Sequence, residues 1–484
     1  MKLRKRWVLG LLISILLAGC GGDSSSETAN DPTGDSSSEP EVLIAAGTWS
    51  QPQVLETLAT DATQPAIALD VNGRAAVTWR ADLDVYLNIF DGVSGSWALA
   101  EEHVAELNTP PLAPPAVAVD ALDDTLVAWQ ANESGGYSPL RYNFRDDAGD
   151  WSGSYILADY VSGVSAASAP PKLAMNSTGQ GLAVWNQNSA SSYGWYENLW
   201  IRLFDGETAQ WNESFNLNYS NTGGPAGDYY SNSFDPQVAA NEGRSVILVW
   251  KRSPGFYTIG SGSYQPPMLK AMAYDVIGGW RGLARIDNEV ELPSRAKPVI
   301  DAAGNATVVW LQAVDGVNNL YYNRLLAGEE DWSGATLLES GAGEITNFDL
   351  TVDAAGNVLV VWDQEDDSVA RLFFSRFDIG SGVWSVPAYE LDAFGPVVVG
   401  MDQDGNAVAA WSGDGSVGIY ASRYNPEAAN AFWSLPERLD ALPGLVSDPI
   451  IAVNPAGNTF VAWVQDDGTA DSIYASYLET GVSP

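Results

Sequence analysis

The sequence predicts an all-β fold, an eight-bladed β-propeller built from four-stranded antiparallel blades. Two observations carry this prediction. One short unit recurs eight times along the chain, and the two ends of the repeated region each hold part of a unit. Repeats of this length that cannot bury their apolar faces alone must stack, and radial stacking of four-stranded units gives a propeller.

The first part of the unit is a turn followed by an apolar strand. It is written "DAAGNATVVW" up to Trp310 and "DAAGNVLVVW" up to Trp362, and related segments end at six further tryptophans: Trp79, Trp129, Trp185, Trp250, Trp411 and Trp463. Asp or Asn opens such a turn by accepting hydrogen bonds from the backbone ahead, and Gly takes the left-handed position. The uninterrupted apolar run predicts a second strand, B, covered on both faces.

The rest of the unit supplies the other three strands. Proline and a short apolar run usually precede the turn and predict strand A, while aromatic segments such as "LYYNRL" and "LFFSRF" predict strand C. A second tryptophan, often followed by Ser, closes the unit at Trp97, Trp151, Trp211, Trp280, Trp332, Trp384 and Trp433. The eighth, Trp49, precedes the first unit. We therefore expect the strand at Trp49 to complete the C-terminal blade, with about 55 residues per blade over 47–484.

The N-terminus has the layout of a secretory leader. Four basic residues precede an apolar run, from Trp7 to Gly19, that is too short to cross a bilayer comfortably. It ends in "LAGC", which resembles the lipobox of bacterial lipoproteins. That resemblance implies cleavage before Cys20, the only cysteine, and a lipid on its sulfur. Gly21 in place of Asp implies the outer membrane. The alternative is a secreted protein in which Cys20 is incidental.

These features divide the chain into three parts. We predict a signal peptide over residues 1–19, a lipid-anchored flexible acidic Ser/Gly/Pro linker over 20–46, and the propeller over 47–484. Removal of four basic residues with the leader would leave 19 Lys and Arg against 61 Asp and Glu, a formal charge near −42. Such a chain repels nucleic acid, so no nucleic-acid partner is expected.

The scarcity of histidine and cysteine limits the catalytic and metal-binding chemistry of this chain. The single histidine, His103, lies in "LAEEHVAELN", which we interpret as an exposed connector, and no His/Cys cluster offers a zinc or redox site. No cofactor is predicted. Asp402, Asp404 and Asn406 could be considered as calcium ligands, but the turn alone explains these letters and no metal site is predicted.

The whole unit resembles blades of the sialidase-like, Asp-box group of propellers. The best local match is "SRFDIGSGVWS", from Ser375 to Ser385. The resemblance covers all eight repeats and implies the scaffold. The arginine triad and the Tyr/Glu pair of catalytic sialidases cannot be placed here, so their activity is not implied. Eight blades in an outer-membrane lipoprotein also look like the scaffold lipoprotein of the outer-membrane protein assembly machine, although the repeat sequence differs.

Three long segments in the third and fourth blades suggest where a ligand binds. They are the B–C connections "NQNSASSYGWYENLW" and "KRSPGFYTIGSGSYQPP", and the link "NESFNLNYSNTGGPAGDYYSNSFD". B–C connections and blade-to-blade links emerge on the same face of an up-and-down blade, so we expect the segments to converge. The predicted ligand-binding residues are Tyr193, Trp195, Tyr196, Glu197, Tyr219, Asp228, Tyr229, Tyr230, Phe256, Tyr257 and Tyr264. Alternatively, these aromatics only pack on one another.

The leading functional hypothesis is a non-enzymatic binding or scaffolding lipoprotein. It would be monomeric, attached to the membrane through Cys20, and would bind a glycan or an envelope protein. The alternative is a glycan-cleaving enzyme, which requires two carboxylates about 5–10 Å apart. Its candidates are Glu197, Glu213, Asp228 and Asp235. A purely structural surface protein is the third possibility.

Overall fold

Eight antiparallel sheets make up the folded chain, as the repeats predict. This computed structural model describes residues 47–106, 113–131, 139–158, 170–191, 194–217, 232–253, 267–275, 279–288, 293–339, 343–366, 369–391, 395–413, 417–427, 433–440 and 443–480, without the side chains of 188–196, 215, 366, 369–370, 389–391 and 479–480. Each sheet is one blade with strands A to D, and the blades are numbered I to VIII from β3. Within these ranges no helix is long and apolar enough to cross a membrane.

Blades I to IV take up the first half of the repeats. The strands of blade I are β3 Ala62–Leu69, β4 Ala75–Ala81, β5 Asp84–Asp91, β6 Ser96–Trp97 and β7 Glu102–Ala105. Blade II has β8 Ala116–Val119, β9 Thr125–Gln130, β10 Leu140–Arg145 and β11 Tyr155–Ala158. Blade III has β12 Lys172–Met175, β13 Gln180–Ser191, β14 Gly194–Asp205, β15 Gln210–Trp211 and β16 Phe215–Asn216. Blade IV has β17 Asn232–Ala240, β18 Val246–Ser253, β19 Met268–Asp275 and β20 Gly279–Arg285.

Blades V to VIII complete the ring. Blade V has β21 Pro293–Ile300, β22 Ala306–Val314, β23 Val317–Leu325 and β24 Thr336–Leu337. Blade VI has β25 Ile345–Val352, β26 Val358–Asp366, β27 Val369–Asp378, β28 Val383–Trp384 and β29 Ala388–Leu391. Blade VII has β30 Val397–Met401, β31 Ala407–Ser412, β32 Ile419–Tyr424 and β33 Glu437–Arg438. Blade VIII has β34 Val446–Val453, β35 Thr459–Asp466 and β36 Asp471–Thr480, with β1 Gly47–Trp49 and β2 Gln53–Val54 outermost.

The predicted closure of the ring is confirmed. β1 runs antiparallel to β36, with Gly47 opposite Thr480 and Trp49 opposite Leu478. The inner strands of successive blades contact one another in chain order, and β34 of blade VIII contacts β3 of blade I. Blade VIII is thus built from both ends of the folded chain, which removes the free sheet edges that an open stack would leave.

The first tryptophan of each unit lies in the core of its blade. Trp79, Trp129, Trp310, Trp362 and Trp463 are among the largest fully buried side chains. In five blades the strand-C ring directly opposite stacks on this indole, with ring centroids 6.0–6.3 Å apart. In four blades the indole N–H donates to a Gln two residues further along, as from Trp310 to Gln312 at 3.0 Å. The pattern of Trp and aromatic residues is therefore a repeated cross-strand pair.

The Asp-x-x-Gly-Asn segments form the A–B turns, as predicted. Asp301 Oδ1 accepts a hydrogen bond from the backbone N–H of Asn305 at 2.8 Å, and Oδ2 accepts one from the Asn305 side chain at 2.7 Å. Gly356, at the equivalent turn of blade VI, has a φ of +98°, and a Cβ at this position would lie 2.5 Å from Oδ2 of Asp301. Gly is therefore required both by the left-handed backbone and by contact with the preceding blade.

The outer strand differs from the single strand D that was expected. In four blades it consists of two short pieces that both pair with strand C. In blade I, the side chain of Asn88 donates to the carbonyl of Ala98 at 3.2 Å, within this break, and to the carbonyl of Leu55 in the neighbouring outer strand at 2.8 Å. A buried amide side chain thus replaces part of the backbone pairing and ties two blades together.

The inner strand lines the central channel and carries a bulge. In five blades the pairing register between strands A and B shifts near one end of strand A. This end lies beside the B–C hairpins. We call this side of the ring the loop face and the side of the A–B and C–D turns the turn face. Proline occupies one of the two bulged positions at Pro65, Pro236 and Pro449, where no N–H is needed for the ladder.

Candidate functional site

One described residue from each of the three long segments of blades III and IV lies at the same place on the loop face. β17 begins at Asn232, directly after the link from blade III, and pairs there with Ser253, the last residue of β18. Asn232 Oδ1 accepts a hydrogen bond from the backbone N–H of Glu197, in the B–C hairpin of blade III, at 3.0 Å. We call the surface around Glu197, Asn232 and Ser253 the III–IV corner. One end of each long segment lies in it.

The enlarged B–C connection of blade III is mostly an extension of its two strands. β13 continues six residues past Trp185, whereas β22 continues four residues past Trp310. The two strands stay paired out to Ser191 opposite Gly194. This pairing places the backbone of Trp195 opposite Ala190. The hairpin is therefore held by the sheet ladder rather than by loop packing alone.

Most of the predicted ligand-binding residues lie outside the described residues. This group contains Tyr193, Tyr219, Asp228, Tyr229, Tyr230, Phe256, Tyr257 and Tyr264, together with the predicted lipidation site Cys20. Trp195 and Tyr196 belong to β14, but only their backbone is described. Glu197 is described with its side chain. The binding role of all these residues stays a prediction.

Glu197 is an acid in an environment that disfavours its charge. Its side chain is half-buried at the III–IV corner, and its backbone N–H is bonded to Asn232. Burial raises the pKa of the Glu197 carboxyl group to about 7. A carboxyl group that titrates near neutral pH can donate a proton or a neutral hydrogen bond to a ligand.

Of the other candidate carboxylates, Glu213 lies far from Glu197, and Asp228 is outside the described residues. Glu213 is exposed and follows Asn212, which bonds Leu203 of β14, six residues along that strand from Glu197. That spacing corresponds to roughly 20 Å, beyond the separation used by paired catalytic acids. Asp235 lies in the bulge of β17 and forms an ion pair with Lys251 at 2.8 Å.

His103 lies in a strand, not in the exposed connector that was expected. It belongs to β7, the second piece of the outer strand of blade I, where it pairs with Tyr86. The imidazole Nε2 lies 3.0 Å from Oδ2 of Asp84, and 45% of the side chain is exposed. The ring also contacts that of Tyr86, with centroids 5.3 Å apart. Strand β7 was not predicted because two acids precede His103 and interrupt the apolar pattern.

The carboxylate of Asp402, which was considered as a calcium ligand, forms hydrogen bonds within the turn of blade VII. Asp402 Oδ1 accepts the backbone N–H of Asp404 and of Asn406, both at 2.9 Å, and Oδ2 accepts the Asn406 side chain. Both oxygens of the carboxylate are thus engaged within the turn. Across the described ranges, no group of three or more His, Cys, Asp and Glu is placed to hold a metal ion.

Sequence analysis missed a charged group on the inner strands and on the neighbouring strand β18. Lys172, Asp235, Lys251, Lys297 and Asp349 lie near the loop-face end of the channel in blades III to VI. We call them the channel charge cluster. All four lysines that follow the leader fall between residues 172 and 297 of a very acidic chain. That uneven spacing was visible in the sequence, and it was the only sign of the cluster.

A separate pocket lies between blades III and IV on the turn face. Its volume is about 140 Å³, and its lining includes Leu182, Phe204, Arg244 and Tyr274. Gln180, the first residue of β13, also lines it. The pocket is therefore at the opposite end of β13 and β14 from Glu197. It does not belong to the III–IV corner.

The comparisons identify similar folds and no family. No family model matches the chain, and no curated protein matches it significantly. Similar solved structures include the K499G mutant of NanB sialidase from Streptococcus pneumoniae, with 9% identity, 90% of this chain and 93% of that chain covered, and a TM-score of 0.39.

Two further solved structures are similar at the same level. A protein of unknown function from Dyadobacter fermentans has 10% identity, covers 90% of this chain and 100% of its own, and gives a TM-score of 0.41. The polysaccharide lyase Uly1 has 10% identity, with 84% and 88% covered and a TM-score of 0.45. At these identities and scores the matches carry no argument about activity, and the eight blades themselves rest on the strand pairing.

Proposed function

We propose that this chain is a non-enzymatic binding protein, anchored in the outer membrane by a lipid on Cys20. Its ligand, a glycan or another envelope protein, binds to the aromatic side chains of the three long segments in blades III and IV. The observation that carries this proposal is the meeting of these segments at the III–IV corner, through the contacts of Asn232 with Ser253 and Glu197. Aromatic rings held on a rigid scaffold suit both sugar faces and the anchor residues of a partner protein.

The path of the chain also supports this location. Gly47 pairs with Thr480 at the turn-face end of β36, so the folded chain begins on the turn face of blade VIII. Blade IV is four blades away from blade VIII in either direction around the ring. Gly47 therefore lies on the opposite side and the opposite face of the ring from the III–IV corner.

The test is the loss of binding in Trp195→Ala. This variant should lose binding on glycan arrays or in pull-downs from envelope extracts, with an unchanged circular dichroism spectrum and melting temperature. Leu435→Ala is the matched control, because Leu435 is a large apolar residue of blade VII that is 87% exposed. Equal binding by the wild type and Trp195→Ala would contradict the proposal, as would an equal loss in Leu435→Ala.

One observation favours a second candidate, a glycan-cleaving enzyme. Glu197, with its pKa raised to about 7, is suited to protonate a leaving group at neutral pH. Such an enzyme needs a second carboxylate about 5–10 Å away. Of the acids predicted for this role, Glu213 is too distant along β14 and Asp235 is ion-paired with Lys251.

Turnover distinguishes the two candidates. The binding proposal predicts that the wild type releases no new reducing ends from any glycan it binds. If the wild type cleaves a glycan, and Glu197→Gln binds that glycan without cleaving it, the enzyme replaces the binding protein as the proposed function.

A further inference from the structure

The pocket on the turn face between blades III and IV exists because two of its residues are small. Ala240 pairs with Val246 beside the A–B turn of blade IV, and Met175 pairs with Gly181 at the same place in blade III. In the strand-A position of this pair, the other blades carry Leu69, Val119, Met175, Ile300, Val352, Met401 and Val453. In the strand-B position, the blades other than III carry Ala75, Thr125, Val246, Ala306, Val358, Ala407 and Thr459. Ala240 and Gly181 are thus the smallest residues at their positions, and both line the pocket.

Large rings fill the corresponding space between blades VIII and I. There Phe90 packs against Phe460 and Tyr477, with centroid distances of 4.8 and 4.9 Å. In the register of blades III and IV, the equivalents of these three rings are Tyr274, Leu182 and Leu203. All three line the pocket, and two of them are aliphatic where blade VIII has rings. An opening therefore remains between blades III and IV.

The pocket has the size and the walls to hold a single ring. Its volume is about 140 Å³, close to the roughly 150 Å³ of an apolar cavity that holds benzene. Leu182 and Phe204 form a buried part of its wall, and Leu203 and Tyr274 are half-buried. A ring that enters from solvent would remove this partly exposed apolar surface from water.

Arg244 lines the pocket in a backbone conformation that the turn normally gives to glycine. Its N–H donates to the carbonyl of Asn241 at 3.1 Å, just as the N–H of Gly179 donates to that of Asn176 at 3.0 Å in blade III. The residues at this turn position in the other blades are Gly73, Asp123, Gly179, Gly304, Gly356, Gly405 and Gly457. The φ of Arg244 is +65°, which is unfavourable for a residue with a long side chain. The turn therefore does not explain the arginine, and strain of this kind is often retained where a residue binds a ligand.

The guanidinium group of Arg244 is available to a ligand. The residue is exposed, and within the part of the chain that the structure describes its side chain forms no hydrogen bond or ion pair. Among the described residues that line the pocket, Arg244 alone carries a charge. A guanidinium group binds a carboxylate through two parallel hydrogen bonds, so the pocket combines an apolar space with a group that recognises an anion.

Three acids adjoin the lining residues in the sequence, and each has another partner. Asp205 accepts a hydrogen bond from the side chain of Gln180 at 3.1 Å. Glu242 accepts one from a backbone N–H in the A–B turn of blade III at 2.8 Å. Asp275 forms an ion pair with Arg281 at 3.3 Å. These contacts hold the acids in place without using Arg244.

We propose that this pocket binds a small organic acid that consists of one aromatic ring and a carboxylate on a short side chain. The ring fills the space left by Gly181 and Ala240, and the carboxylate pairs with Arg244. Burial of the ring supplies the attraction, and the guanidinium group selects acids over uncharged rings. The pocket and the III–IV corner lie at opposite ends of β13 and β14, so this proposal does not depend on ligand binding at that corner.

The test measures the binding of phenylacetate to the full chain by titration calorimetry, at pH 7 and constant ionic strength. Phenylacetamide and acetate are the matched probes, because the first lacks the charge and the second lacks the ring. We expect one phenylacetate per chain, with a dissociation constant in the millimolar range or tighter. Phenylacetamide should bind at least tenfold more weakly, and acetate should not bind. The proposal is overturned if phenylacetate does not bind, or if either of the other probes binds as tightly.

Arg244→Gly removes the charge and restores the residue that six other turns carry. It should weaken phenylacetate binding at least tenfold, and it should raise the melting temperature of the ligand-free chain because the left-handed strain is relieved. A loss of binding in this variant is then separate from any loss of fold. Asp123→Gly is the matched control, since it makes the same change at the turn of blade II, where φ is +70°. This control should bind phenylacetate as the wild type does.

Ala240→Met tests the space instead of the charge. It gives blade IV the residue that blades III and VII carry at this position, Met175 and Met401. The longer side chain should occupy the pocket and weaken the binding of phenylacetate at least tenfold. Wild-type binding in Arg244→Gly or in Ala240→Met would overturn the proposal, and so would an equal loss of binding in Asp123→Gly.

Discussion

Glu197 is held in place by backbone contacts, and within the part of the chain that the structure describes its carboxyl group has no hydrogen-bonding or ion-pair partner. Its N–H is committed to Asn232, and its residue pairs with Asn188 across the hairpin. These contacts keep the carboxyl group in a half-buried position where the neutral form is favoured, and the pKa is raised to about 7 from 4.5. The consequence is a dependence of stability on pH that can be attributed to a single residue.

Glu197→Gln should remove that dependence. Because the pKa is higher in the folded state, the folded protein retains a proton between pH 4.5 and about 7 that the unfolded chain has lost. The contribution of Glu197 to stability therefore falls as the pH rises through this window. We expect Glu197→Gln to melt at a higher temperature than the wild type at pH 8, with a smaller difference at pH 5.

The matched control for this measurement is Glu213→Gln, since Glu213 is an exposed acid of the same blade. Its melting temperature should follow that of the wild type at both pH values. If the difference between Glu197→Gln and the wild type is the same at pH 5 and pH 8, the raised pKa of Glu197 is wrong.

At the scale of the element, the A–B turns join neighbouring blades as well as neighbouring strands. Gly356 has a left-handed backbone, and its Cα faces Oδ2 of Asp301 in the blade before it. Gly356→Ala should therefore lower the free energy of unfolding by about 1–2 kcal/mol for the backbone alone, and by more for displacing the aspartate. Urea denaturation measures this loss.

Gly382→Ala separates the two contributions. Gly382 also has a positive φ, +71°, but a Cβ there would have no neighbour within 4 Å. This variant should lose only the backbone part. Equal losses in Gly356→Ala and Gly382→Ala would show that the contact with Asp301 contributes nothing to stability.

The elements that sequence could predict are those fixed by local chemistry. The turn at Asp301 and the position of Trp200 opposite Trp185 follow from residue spacing within one unit. The break in strand D depends on where the side chain of Asn88 finds its partners, one of which, Leu55, precedes blade I. No local pattern contains that information.

The same distinction applies to the candidate site. Long segments with many aromatic residues are visible in the sequence. Their convergence was predicted from the assumed order of strands A to D. The channel charge cluster was not, because Lys172, Asp235 and Lys297 come from three blades and meet only when the inner strands stand next to one another. The spacing of the lysines along the chain indicated this part of the chain without indicating how the side chains are arranged.

At the scale of the molecule, the place where the ring closes determines where the folded chain begins relative to the III–IV corner. Because β1 completes blade VIII from the turn face, Gly47 and the III–IV corner lie on opposite sides of the ring. An open stack would place the N-terminus beside blade I and leave β36 with an unpaired edge. The orientation proposed for ligand binding therefore depends on this closure.

The closure is tested by deleting residues 47–54 from the full chain and measuring urea denaturation and oligomeric state. We predict a loss of at least about 3 kcal/mol, since Trp49 leaves the core between blades VII and VIII, and association of the protein through the exposed edge of β36. Deletion of residues 21–28 in the linker should change neither quantity. A monomer with unchanged stability after deletion of residues 47–54 would contradict the closed ring.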